Sequence, residues 1–317
     1  MIDLAAHLIA LFATVCLAVS LLVGVGIRLA RRRMSELDQD ARARLLLTAL
    51  AAPAFVAALV MGAVSFPHQW LGMADHCLHH PGHLHLCLVH GAPAPSPIVL
   101  MLAGAGTLYI LARLGRPVAN AVRGRWATRR LLRAARREGD LWVLPGHAPV
   151  AFTVGLTRPV VVVSEAVLSG AREWNAVLEH ERAHVAGRHP LARWLAELFT
   201  AFHLPHVGTA LTRQLREAQE LSADEQAAAA VGSRIAVAEA LLDWTRWSHA
   251  AQDATVGFHS GPVEVRVLHL LNDPPTARPG PSSRRLVGAA TLVALPLGVA
   301  APAVHHAVET ALGLLCS

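Results

Sequence analysis

Between Asp3 and Arg28 the chain carries no acidic or arginine side chain and is rich in Leu, Ala and Val. A run of that length crosses roughly 30 Å of hydrocarbon as a helix. No other feature restricts the fold as much, because backbone polar groups in lipid must find their partners within the segment itself. Positive charge follows the run, at Arg28, Arg31, Arg32 and Arg33, so it reads as a retained span rather than a cleaved leader. Residues 45–66 with Pro53 as a kink, residues 97–112 with Gly104 and Gly106, and residues 286–304 make three further runs. The 97–112 run is the shortest and needs its flanks to complete a crossing. With 54% hydrophobic and 16% charged residues, the composition fits a membrane protein with room for one soluble domain.

All 28 basic residues are arginine, and the net charge is +6. They gather beside the apolar runs instead of spreading over a recognition face with aromatics, which excludes a nucleic-acid binder. Arginines crowd residues 28–44 and 113–137 and precede the last run at Arg284 and Arg285, whereas residues 67–96 and the tail from His305 have none. Basic residues flanking a span stay on the cytoplasmic side. The expected organisation is therefore three transmembrane helices with an extracytoplasmic His-rich loop at 67–96 (residues 1–112), a cytoplasmic domain (113–283), and a fourth span with a short outer tail (284–317). This places the protein in the cell membrane as a multi-pass chain with both termini extracytoplasmic.

Inside the cytoplasmic segment, residues 123–138 read as a basic amphipathic helix lying near the membrane, and residues 141–144 and 160–163 as two short strands. Ser169 is placed to cap a helix over 171–186, which Gly187 ends and Pro190 keeps from continuing. Residues 209–231 and 235–248 form two more helices, while 191–207 fits a core helix or a membrane-dipping hairpin equally. Residues 272–283, with four prolines, are a linker. The fold class is α+β.

Within the helix over 171–186 the chain reads His180-Glu181-Arg182-Ala183-His184. Residues four apart share a helix face, so both imidazoles can reach one Zn2+, and Glu181 is turned toward the water that the metal acidifies. Glu181 would take that proton and later pass it to the leaving amine. A catalytic zinc needs a third protein ligand. His189 is one residue away from the metzincin spacing, which disfavours that class. The better source is Glu220 in Glu220-Leu-Ser-Ala-Asp224, with Asp224 on the same helix face to accept a hydrogen bond from a ligand imidazole. Glu217, one turn earlier, competes with Glu220, and all three could also be a solvated surface.

The two motifs, set between a third and a fourth span, resemble the BlaR/MecR antirepressor metalloproteases and their HtpX and CAAX-protease relatives. Ala151-Phe-Thr-Val-Gly155 with Arg158-Pro159 and residues 161–165 resembles the strand region ahead of the zinc helix in the BlaR/MecR group. Glu264-Val-Arg266-Val267 resembles the Arg-containing segment near the end of the catalytic domain. The resemblance implies a gluzincin-like zinc endopeptidase acting on a cytosolic protein, a transcriptional repressor of the BlaI/MecI kind, in signal transduction. It also implies that substrate adds as a strand to a sheet edge, for which 160–163 is the candidate. Two departures stand out. No large sensor domain is expected after the last span, and the only tyrosine, Tyr109, lies in a span, leaving His259 or Arg266 to stabilise the oxyanion.

Seven histidines and the pair Cys77 and Cys87 crowd the loop at 67–96. They suggest metal or pH sensing on one side, and a disulfide in a polar hairpin on the other. Two rival readings follow: an HtpX-like protease of membrane-protein quality control, and a non-catalytic metal-sensing receptor. An intact Glu181 argues against the second.

Overall fold

The structure, a computed structural model, describes residues 2–65, 94–170, 174–250 and 263–272. The apolar run at 286–304, the loop with Cys77 and Cys87, the linker after Asn272, and His259 lie outside the described residues.

Among the described residues three helices are long and apolar enough to cross a membrane: α1 (Ile2–Leu29), α3 (Gln39–Ser65) and α4 (Pro97–Ala134). A short α2 (Arg31–Ser35) joins the first two. At 38 residues α4 is about 57 Å long, almost twice a bilayer core. It begins at Ser96, whose hydroxyl accepts from Val99 N, and continues through Pro117 without a break. The expected short third span and most of the expected separate helix at 123–138 are therefore one element, with no break at residue 112, while residues 136–138, expected as helix, are a strand. The reason lies in the sequence between them: Ala112 to Arg123 contains one glycine and one proline but no capping residue followed by a turn.

Four strands follow or precede tight turns: β1 (Arg136–Glu138), β2 (Leu141–Leu144), β3 (Ala151–Val154) and β4 (Val160–Ser164). Their order is β1-β2-β4-β3, with β4 parallel to β2 and antiparallel to β3. Residues 160–163, expected at an edge, are thus interior; the edges are β1 and β3, and β3 is the one beside α6. Four consecutive valines suit a strand paired on both sides and buried on both faces. Gly155 turns β3 into β4 at φ +98°, and a Cβ there would stand 2.6 Å from the Arg158 carbonyl oxygen, so glycine is required.

The sheet packs through Val143, Val161 and Val163 onto Val177, Leu178 and Trp244. Ser164, rather than Ser169, caps a helix, the short α5 (Glu165–Ser169), by accepting from Val167 N. Then come α6 (Asn175–Ala186), ended at Gly187, and α7 (His189–Phe199), with Pro190 in its first turn. Beyond a 3-10 turn (Thr200–Phe202) lie α8 (Pro205–Val231), α9 (Arg234–Ala250) and α10 (Val263–Leu271).

Helices α7 and α8 form a hairpin whose tip is fixed among the three apolar helices. His203 Nε2 donates to Leu50 O at 3.0 Å, which makes Nδ1 the acceptor for Ser20 Oγ at 3.1 Å; Ser20 Oγ in turn accepts from Leu204 N at 2.9 Å. Tyr109 Oη donates to His203 O at 2.6 Å, and Phe12 meets Phe202 edge to face. Pro53 explains the location. Lacking an N–H, it leaves carbonyls a turn earlier in α3 short of a donor, and His203 supplies one there. Leu46 and Leu50 of α3 then pack against Leu211 and Leu215 of α8. Residues 191–207 thus hold most of α7, the 3-10 turn and the start of α8, a helical hairpin rather than one core helix.

Candidate active site

α6 lies against the sheet and α8, so the side chains of its buried face meet those that β3 and α8 send toward it, with α7 closing one end at His189. His180, Glu181 and His184 are on that face, and Glu220 and Asp224 come from α8; all five are buried. Ligand atoms of His180, His184 and Glu220 lie within 4.8 Å of one another. His180 Nε2 is 3.6 Å from Glu220 Oε2, and His184 Nε2 is 3.4 Å from Glu220 Oε1. Ligands of a tetrahedral zinc with bonds near 2.1 Å stand roughly 3.4 Å apart, so this donor set fits the ion in both chemistry and spacing.

The other ring nitrogens are also taken. His180 Nδ1 sits 2.8 Å from Asp224 Oδ1, and a carboxylate can only accept, so Nδ1 carries the proton and Nε2 faces the cluster. His184 Nδ1 is 2.6 Å from His189 Nδ1. For His184 Nε2 to keep its lone pair for a metal, Nδ1 must donate and His189 must accept. His189, too early in the chain for the metzincin ligand position, thus orients a ligand from the first turn of α7. Glu217 is elsewhere: partly exposed, 3.9 Å from Arg42 Nη2, and away from the imidazoles.

Arg266, expected near a developing oxyanion, faces the opposite way. From α10 it makes a two-pronged contact with Asp224, Nε to Oδ2 at 2.8 Å and Nη2 to Oδ1 at 2.6 Å, and its Nη1 is 3.3 Å from Glu220 Oε2. It does not border the cleft. The guanidinium that does is Arg193 of α7, whose Nη2 donates to Glu220 Oε1 at 2.6 Å and whose Nε donates to Gln219 Oε1 at 2.9 Å. Tyr109, held at the hairpin tip, is likewise committed.

Burial alone would depress the His180 imidazolium, but Asp224 and Glu220 outweigh it and push its pKa up to about 9. Burial holds His184 down at about 4 and His189 at about 3, so both are neutral. Burial disfavours a charged Glu220, yet the two imidazoles facing it carry its carboxyl well below the usual range. Glu181 moves the other way: burial raises it, against the opposing pull of His180 and Thr153. A carboxyl raised toward neutrality is the kind that exchanges protons near neutral pH.

Thr153 of the edge strand donates to Glu181 Oε2 at 2.7 Å and fixes that carboxylate over the site. The cleft in front has a volume of about 560 Å³. One wall is β3, through Phe152, Thr153 and Val154, and the other is α4, through Gly124, Ala127, Thr128 and Leu131, which share one helix face. Spacing in the sequence pointed to the motif residues. Thr153 lay in the Ala151–Gly155 stretch and His189 near a metzincin ligand position, but neither was given its role by spacing, and Arg193 lay in no motif; adjacency in the fold reveals all three.

Residues 127–210 match the family model of Peptidase family M48. The matched stretch runs from the end of α4 through the sheet, α6 and α7 into the start of α8; Glu220, Asp224 and Arg266 follow it. Peptidases of this family are metallopeptidases that generally depend on zinc, and the match together with the His/His/Glu cluster supports a metalloprotease. No match was found among curated proteins or among solved structures.

Proposed function

We propose that this chain is a membrane-embedded zinc endopeptidase whose site faces the cytoplasm and takes an extended protein segment laid along β3. The observation that carries the reading is the buried cluster of His180, His184 and Glu220 at the floor of a cleft that also holds Glu181. Zinc, when bound there, supplies Lewis-acid character and makes water a usable nucleophile at neutral pH. Glu181 accepts the proton released as water attacks the scissile carbonyl and returns it to the departing amine. Thr153 keeps that carboxylate aimed at the cleft, and Asp224 and His189 hold the two imidazoles in the tautomers a metal requires. Arg193 is the guanidinium available to charge developing on the carbonyl oxygen.

An edge strand beside a small-residue helix face suits main-chain pairing by an extended peptide, with Phe152 and Val154 touching its side chains. Arginine placement puts this cleft on the cytoplasmic side. On this reading the substrate is a cytosolic repressor of the BlaI/MecI kind, which the resemblance to antirepressors favours. Co-expression with a repressor encoded beside this chain tests it. Repressor cleavage that disappears in Glu181→Gln supports the assignment. An intact repressor under all conditions, with misfolded membrane proteins accumulating in the Glu181→Gln strain, transfers the chain to quality control.

A further inference from the structure

A cavity larger than the candidate active-site cleft lies elsewhere. It is an open cleft of about 1470 Å³ where the apolar parts of α1 and α4 give way to arginine and where the first half of α8 packs beside them. Arg28 and Arg31 enter it from the end of α1 and the start of α2, and Arg42 from α3. Arg113 and Arg116 come from α4, and Arg213 and Arg216 from α8. Against these seven guanidiniums stand two carboxylates, Glu197 and Glu217. Glu197 is taken by Arg216 at 2.6 Å, and Glu217 reaches Arg42 only at 3.9 Å. Arg28, Arg31, Arg116 and Arg213 have no ion pair among the described residues. Buried Nε of Arg42 has no hydrogen-bond acceptor there either. Converging positive charges that bring so little counter-charge of their own favour an anion between them.

The surroundings specify which anion. On α1, Val25 and Leu21 lie one and two turns from Arg28 on the same face, and on α4 Leu108 lies one turn from Ala112; all three are more than half exposed. Ile27, Met34 and Ala112 add an apolar margin to the cleft. A charged pocket continuing into an exposed apolar stripe matches a phosphate headgroup joined to acyl chains. We infer that this cleft is a binding site for an anionic phospholipid, its phosphate among the arginines of α1, α4 and α8 and its chains along α1 and α4. The inference rests on the membrane reading above but not on the protease chemistry.

The test uses full-length protein in nanodiscs or detergent, titrated with phosphatidylglycerol, phosphatidylcholine or inorganic phosphate, reading bound lipid by native mass spectrometry and stability by thermal denaturation. Phosphatidylglycerol is expected to bind and stabilise where phosphatidylcholine does not. The double variant Arg116→Gln with Arg213→Gln should bind it roughly 10- to 30-fold more weakly, each arginine contributing about 1 kcal/mol. The control Arg129→Gln with Arg130→Gln removes the same charge from α4 outside the cleft and should leave binding unchanged. Equal loss in both pairs, or no loss in the first, overturns the site. Equal stabilisation by inorganic phosphate overturns the lipid. Zinc content near one ion per chain in every variant separates a lost lipid site from a lost fold, and a zinc-free protein that still retains phosphatidylglycerol would defeat the protease reading alone.

Discussion

Glu220 is a buried carboxylate facing two imidazoles, and such a charge is tolerated only when cations or a metal surround it. Arg193 and Arg266 flank it on separate oxygens. Replacing Glu220 with Gln should strip zinc almost completely, Asp224→Asn should weaken it by roughly 10- to 100-fold, and Glu217→Gln should change nothing measurable. Competition with a chelator gives the order; metal lost from Glu217→Gln and kept by Glu220→Gln would reverse the assignment. Arg266→Lys keeps the charge but loses the two-pronged grip on Asp224, so zinc affinity should also fall by about 10-fold or more, while KM for a peptide stays put in the metal-loaded enzyme. A raised KM with unchanged zinc affinity would return Arg266 to the cleft. At this scale the sequence was legible where spacing on a helix is enough: His180 with His184, Glu220 with Asp224. It misassigned Arg266 because a chemical type gives no direction, and whether a guanidinium faces the cleft or the core depends on how α10 docks.

The same limit operates on whole elements. Apolar runs and helical periodicity identified α1, α3, α6 and α8, although the cap expected at Ser169 is not the one α6 uses. The sheet was half legible, since strands of three to five residues carry little pattern, and edge or centre depends on pairing that no local signal encodes. The α7–α8 hairpin was open to two readings because its anchors, Ser20, Leu50 and Tyr109, are 94 to 184 residues away in sequence. That hairpin joins the two halves of the site, α6 and its histidines to α8 and its carboxylates. His203→Ala should therefore destabilise the protein by about 2–4 kcal/mol, leaving Leu50 O and Ser20 Oγ short of partners in a buried place. Tyr109→Phe, which removes one bond, should cost about 1 kcal/mol. Thermal denaturation in detergent measures both, and a His203→Ala protein as stable as the parent would mean that the tip is not an anchor.

At the scale of the whole molecule, the long basic helix α4 connects the bilayer reading to the chemistry, since its apolar half lies beside α1 and its distal half walls the cleft. Arginine placement predicts the topology: a reporter inserted near Gly91 or fused after Ser317 should be extracytoplasmic, and one inserted within residues 272–283 cytoplasmic. A cytoplasmic signal at Gly91 would turn the cleft to the other side. The central claim is that a metal held by His180, His184 and Glu220 works with Glu181 as its base. Metal analysis of purified protein beside a peptide-cleavage assay, run on the parent and on Glu181→Gln, tests it most directly. The account predicts about one zinc per chain in both proteins and cleavage only in the parent; full cleavage by the Glu181→Gln protein, or a parent that cleaves without zinc, would contradict it.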